Sequence, residues 1–96
     1  MFTVNQYFAG KVTSLAFQGD QLPATVGVMA AGDYQFNTSA DEVLTILSGE
    51  LQVQLSPDAD WQTFVAGGQF SVPAHSQFQL KVARDTAYLC TYQAVG

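Results

Sequence analysis

The sequence predicts an all-β fold, a small antiparallel barrel or sandwich, on three observations. Short apolar runs alternate with turn residues every six to twelve positions. Within several runs apolar and polar residues alternate with a period of two, the mark of a strand with one buried and one wet face. No window of twelve or more residues carries a clean 3.6-residue period, so helix content is expected to be near zero.

The strands follow in order. Val12 to Phe17, Ala24 to Ala30, Asp33 to Asn37 and Glu42 to Ser48 are predicted as the first four. Leu51, Val53 and Leu55 alternate with Gln52, Gln54 and Ser56, giving the fifth. Trp61 to Val65 and Gln69 to Val72 come next. Phe78, Leu80 and Val82 then alternate with Gln77, Gln79 and Lys81, and Ala87 to Tyr92 closes the set. Ser48-Gly49-Glu50 is expected to be a tight hairpin whose glycine takes positive φ. Ser56-Pro57-Asp58-Ala59-Asp60 supplies a longer turn, and Gly67-Gly68 another bend.

Composition sets the limits. The chain has 96 residues, the size of one domain spanning 1–96. Such a chain buries roughly two-thirds of its unfolded surface. Seven Phe, four Tyr and one Trp within a 48% hydrophobic composition supply the core. Cys90 is the one cysteine, so no internal disulfide is available. The start, Met1-Phe2-Thr3-Val4-Asn5-Gln6-Tyr7, carries neither basic residues nor a long apolar run, and the expected location is the cytoplasm, with no membrane contact. Three basic residues against eight acids give a net charge of −5, which argues against a nucleic-acid partner. An anion site must therefore rely on local donors.

Two spacings carry a resemblance. Glu42 is followed after six residues by Gly49, and Gly67 after five by Pro73 and then His75. These segments resemble the two signatures of the cupin superfamily, small β-barrels of double-stranded β-helix type in which a Glu and three His converge on a metal. The departures are chemical. Tyr34-x-Phe36 stands in place of the His-x-His pair, and Phe78 in place of the later His. A metal needs three or four N, O or S ligands in one place, and one His, one Cys and an isolated Glu do not supply them. No metal and no other cofactor are expected.

The whole chain resembles a narrower group, the cupin-fold pyrimidine/purine nucleoside phosphorylase family. The matching segments are Asn5-x-Tyr7-Phe8-x-Gly10-Lys11-Val12, Val26-Gly27-Val28-Met29, Gly32-x-Tyr34-x-Phe36, Ser48-Gly49 and Trp61-Gln62. They continue through Ala66-Gly67, Phe70-x-Val72-Pro73-x-His75-Ser76-x-Phe78 and Tyr88-Leu89-Cys90-x-Tyr92. The resemblance implies phosphorolysis: inorganic phosphate, as co-substrate, displaces the base of a purine or pyrimidine ribonucleoside and leaves ribose 1-phosphate. Two positions depart from the family pattern. Ala74 replaces a Gly in Pro-Gly-His-Ser, so that turn is expected to reach positive φ less cheaply. Thr91 stands where family members carry Arg, removing a cation assignable to phosphate.

Glycosyl transfer of this kind develops positive charge on the sugar. It also needs a proton for the departing base and phosphate held on the opposite face of C1′. Glu42, at the inward position of the cupin frame, is the first catalytic candidate, as a carboxylate binding ribose hydroxyls and offsetting charge. The plain alternative is an exposed acid at a strand start. His75 is the second, a donor to phosphate or base, against a turn histidine bonded to a carbonyl. Tyr34 is the third, with Glu42 as the expected partner of its phenol. Phe36, Phe78, Tyr88 and Tyr92 are expected to face inward and stack on either base class, or simply to pack the core. Lys11 is the cation assigned to phosphate, with Arg84 solvated in a turn. Cys90 is expected to be an inert core residue, and Trp61 to cover one end of the barrel. A non-catalytic module binding a sugar or nucleobase is the alternative function, and a structural dimerising domain a third. A homodimer is expected under each.

Overall fold

The computed structural model describes residues 2–93 and holds ten strands and no helix among them. They are β1 (Thr3–Tyr7), β2 (Val12–Gln18), β3 (Pro23–Met29), β4 (Gly32–Asn37) and β5 (Glu42–Ser48), then β6 (Glu50–Gln54), β7 (Gln62–Val65), β8 (Gln69–Val72), β9 (Gln77–Val82) and β10 (Thr86–Tyr92). Nine of the ten lie where the alternation placed them. The all-β expectation therefore holds.

The strands divide between two antiparallel sheets. One runs β1-β2-β3-β10-β5-β8 and the other β4-β9-β6-β7. The core lies between them and follows from the period of two. Val12, Met29, Leu44, Ile46, Phe70, Val72, Tyr88 and Cys90 point inward from the larger sheet. Leu51, Val53, Phe78, Leu80 and Val82 answer from the smaller. Ile46, Leu51 and Val53 are wholly buried, and each such side chain contributes about 1.5–3 kcal/mol of burial free energy.

The turns explain how one sheet feeds the other. Gly49 has φ +105°, and a side chain there would sit 2.7 Å from the Asp85 carbonyl, so the β5–β6 hairpin requires glycine at this close approach. In the β8–β9 turn the left-handed residue is His75 itself, at φ +57°, and not Ala74. The Gly-to-Ala departure at position 74 thus leaves the turn unstrained at that residue, correcting the sequence expectation. His75 holds the conformation by donating its N–H to the Thr38 carbonyl (3.1 Å), while Asp41 accepts the Ala74 N–H (2.7 Å).

Strand β1 was not legible from alternation. It is an edge strand with mostly exposed side chains on both faces, so it carries no apolar stripe. Its hairpin to β2 is unusual: Phe8, Ala9 and Gly10 all adopt positive φ. The Gly10 N–H returns to the Tyr7 carbonyl (3.1 Å) and the Lys11 N–H to that of Phe8 (3.2 Å). Left-handed backbone costs a non-glycine residue about 1–2 kcal/mol, and what holds it here is the Phe8 ring. That ring lies 5.0 Å from Tyr34 and 5.6 Å from Phe36, so the turn is tied to the opposite sheet.

Candidate functional site

Strand β10 is the floor of a cavity of about 360 Å³. Its residues 88, 90 and 92 all point into the gap between the sheets. Register then fixes their neighbours. Tyr92 lies opposite Glu42 on β5, and Cys90 lies between Leu44 on β5 and Thr25 on β3. Tyr88 lies opposite Gly27 on β3, which in turn faces Ser14 on β2. The side wall is aromatic: Tyr7, Phe8, Phe36 and Phe78, with Phe36 and Phe78 stacked at 5.8 Å.

The polar floor is a connected set. The Cys90 thiol donates to Oε1 of the half-buried Glu42 (3.4 Å), and the Tyr92 hydroxyl shares a hydrogen bond with Thr25 Oγ1 (3.2 Å). Burial pushes the Glu42 carboxyl above the ordinary carboxylate range, with the Cys90 bond a smaller opposing effect. Burial, reinforced by the neighbouring Glu42 charge, pushes the Cys90 thiol up to about 12. Tyr88 and Tyr92 are likewise raised, chiefly by burial. These groups are protonated donors grouped round one carboxylate.

Tyr88 reaches this place because Gly27 has no side chain. A Cβ at position 27 would lie 2.8 Å from the Tyr88 hydroxyl and 2.7 Å from the Thr13 carbonyl. A glycine inside a strand marks such a close approach.

The family model described as pyrimidine/purine nucleoside phosphorylase matches residues 2–92, nearly the whole chain. The chain belongs to that family. A pyrimidine/purine nucleoside phosphorylase of Pseudomonas fluorescens is 59% identical over 93 residues, covering 97% of this chain and 99% of its own length. One from Alcanivorax borkumensis is 60% identical over 92 residues, covering 96% and 98%. Among solved structures, a Vibrio parahaemolyticus protein of unknown function superposes with a TM-score of 0.91 at 43% identity, covering 97% of this chain and 99% of that one. An RmlC-like cupin from Shewanella frigidimarina, at 18% identity, covers 96% of this chain and 83% of its own with a TM-score of 0.74, a likeness of fold alone.

Within this family member, the residues singled out from sequence fall into two groups. Glu42, Phe36, Phe78, Tyr88 and Tyr92 line the one cavity together. Tyr34, His75 and Lys11 lie outside it. The Tyr34 hydroxyl donates to the Ala30 carbonyl (2.7 Å), in the short link between β3 and β4, and not to Glu42 as expected from sequence. Its ring borders a second concavity with Phe8 and Trp61. His75 is exposed on the β8–β9 turn, and Lys11 is exposed at the base of the β1–β2 hairpin. Arg84 pairs with Glu50 (3.3 Å) on the surface, and the Lys81 ammonium sits 4.4 Å over the Trp61 ring. Among the described residues, then, no Lys, Arg or His lines the cavity.

The donor set also does not fit the metal of the cupin superfamily. Among the described residues, Glu42 and Cys90 are the only His, Cys, Asp or Glu side chains lining the cavity, and Phe36 and Phe78 occupy its other wall. Among the described residues no three His, Cys, Asp or Glu side chains come together. Sequence reading missed Ser14, Thr25 and Gly27. Their signal was present: on strands whose inward positions are apolar, small polar or bare residues at inward positions mark a place where something else must fit.

Proposed function

We propose that this protein is a nucleoside phosphorylase, cleaving purine and pyrimidine ribonucleosides with inorganic phosphate and no metal. One observation carries the reading: a carboxylate, Glu42, set in a cavity of about 360 Å³ whose walls are aromatic and whose remaining polar groups are neutral donors. That volume is within the range of small-molecule sites, roughly 300–1,000 Å³.

In the reaction a phosphate oxygen bonds to C1′ as the bond from C1′ to the base nitrogen breaks. The proton of hydrogen phosphate ends on the departing base, so ribose 1-phosphate and free base are the products. Glu42, ionised, binds ribose hydroxyls and offsets positive charge developing on the sugar. Cys90 fixes one of its oxygens, leaving the other for substrate. Phe36 and Phe78 supply an apolar face for either base class. Phosphate is held by hydroxyls, those of Ser14, Thr25, Tyr88 and Tyr92, which are aimed in advance and need no full positive charge. The reading takes residues 1–96 as one cupin-type domain, its two sheets forming the walls of a barrel, and as a homodimer in solution. The exposed apolar residues Phe2, Val4, Leu15 and Val28, on and beside the β1–β2–β3 end of the larger sheet, suit that association.

The experiment is a phosphate-dependence assay on uridine and inosine. Free base released only with phosphate, with ribose 1-phosphate as co-product, supports the reading. Nucleosides that bind but stay intact would leave a non-catalytic binding module in its place.

A further inference from the structure

Among the described residues, strand β4 is an edge of the smaller sheet, with β9 as its one ladder partner. Bonds at the strand ends fix which way its backbone groups point. The Thr38 N–H donates to the Ser76 carbonyl (2.9 Å), and the Thr38 carbonyl accepts from the His75 N–H (3.1 Å). Residue 38 therefore turns both groups toward the β9 side. Along an antiparallel strand these directions alternate, so Phe36 and Tyr34 do the same, opposite Phe78 and Leu80. The far end agrees: the Ala83 N–H goes to Glu50, so odd residues of β9 serve β6 and even ones serve β4. Gln35 and Asn37 consequently direct their N–H and C=O groups away from β9, to the free edge.

That free edge is a wall of the Glu42 cavity. Gln35 and Asn37 both line it, yet both are exposed, and the Asn37 side chain is engaged elsewhere, its Oδ1 accepting from Gln77 Nε2 (3.2 Å). Tyr34 and Phe36 turn their side chains to the core, so those of Gln35 and Asn37 lie on the outer face of β4, and what these residues bring to the cavity is main chain. An open strand edge is a row of donors and acceptors waiting for partners.

We propose that the main chain of β4 at Gln35 and Asn37 recognises the base, pairing with the adjacent N–H and C=O of a lactam ring edge. The inference rests on the nucleoside reading above. On one extended residue the N–H and C=O turned to the same side form a donor and an acceptor side by side, the pair one strand offers another. Uracil and hypoxanthine each carry an N–H next to a C=O and offer the complement. They differ in ring size but share that edge. One main-chain contact thus accepts both base classes without a side chain matched to either. Tyr7 and Phe8 border the same cavity, and Glu42 is left to the ribose.

The test uses methylation of the base. 3-Methyluridine and 1-methylinosine lack the ring N–H, whereas 5-methyluridine carries its methyl elsewhere. The expected loss in kcat/KM is about tenfold to a hundredfold for the two N-methyl nucleosides relative to their parents, with 5-methyluridine much less affected. Gln35→Pro removes one edge N–H but no ladder bond, a substitution edge strands tolerate. It should fall about tenfold below Gln35→Ala, which keeps that N–H. N-methyl nucleosides cleaved as fast as their parents would overturn the proposal. So would a Gln35→Pro variant equal to Gln35→Ala in activity, or altered only in oligomeric state. If Gln35→Pro does not fold, the methylated substrates decide alone. If neither parent nucleoside is cleaved, the phosphorylase reading falls by itself, and calorimetry with uracil and 3-methyluracil takes over: stronger binding of uracil supports main-chain recognition, and equal binding overturns it.

Discussion

The Cys90 thiol donates its hydrogen to Oε1 of Glu42 across 3.4 Å, joining two residues on neighbouring strands that sit diagonally across the ladder. Diagonal pairs of this kind are within side-chain reach on one face of a sheet. The bond orients the carboxylate, and the carboxylate in turn keeps the thiol protonated. Removing either changes the other, so the pair is a direct place to test the site.

Glu42→Gln is expected to lower turnover about a hundredfold or more, since the charge opposite the developing positive sugar is lost. It should also stabilise the fold at neutral pH. Burial raises the carboxyl in the folded protein, so the folded state holds the proton more tightly than the unfolded one. The stability this confers is full below the unfolded value, near 4.5, and is lost as pH rises through the raised folded value. The amide never ionises and escapes that loss. Thermal melts at pH 7 should show a higher Tm for the variant, and the difference should shrink toward pH 4. A variant no more stable than the parent at pH 7 would mean that the site fully compensates the buried charge. In the parent, activity should fall on acidification at a higher pH than an unperturbed carboxylate would give.

Cys90 should resist thiol reagents while the protein is folded. With its thiol pushed up to about 12, roughly one molecule in ten thousand carries the thiolate at pH 8. Reaction with a chromogenic disulfide should proceed only after denaturant is added. Rapid labelling of the native protein would show that the Glu42 bond does not hold the proton.

Tyr34→Phe separates packing from chemistry. Its hydroxyl bonds to the Ala30 carbonyl, and loss of that bond should cost about 1 kcal/mol. For a domain of this size that is a Tm decrease of about 4–8 °C. Because the phenol lies outside the Glu42 cavity, kcat/KM should stay near the parent value. A large loss of activity with little loss of stability would put Tyr34 back among the reacting groups.

Legibility from sequence followed burial. Strands with one buried face announced themselves, as β9 did with Phe78, Leu80 and Val82 all buried between exposed neighbours. Strand β1 did not, because an edge strand exposed on both faces has no pattern to read. At the site, inward position was readable for Glu42, Phe36 and Tyr88, which follow from period and register. Direction beyond position was not. Whether Tyr34 turned to Glu42 or to Ala30, and whether His75 faced the cavity or solvent, depends on turn geometry that residue type alone leaves open. The positive φ at His75, carried by the residue after Ala74, is such a case.

Gly27→Ala tests the floor of the cavity through the backbone of β3. The added methyl would lie 2.7 Å from the Thr13 carbonyl, 2.8 Å from the Tyr88 hydroxyl and 2.9 Å from the Ser14 Cβ. Two of these three atoms belong to backbone or to a short side chain fixed to it, so the neighbours cannot all swing clear. The cost should resemble overpacking of a core, about 1–3 kcal/mol, read as a lower midpoint in denaturant. The movable partner is the Tyr88 ring, so relief of the clash should push its hydroxyl out of the Ser14 side of the cavity. If that hydroxyl helps hold phosphate, KM for phosphate should rise more than KM for nucleoside. Equal changes in both would point to a general loosening of the sheet, and a variant with parental stability would show that β3 can shift away from β10 at no cost.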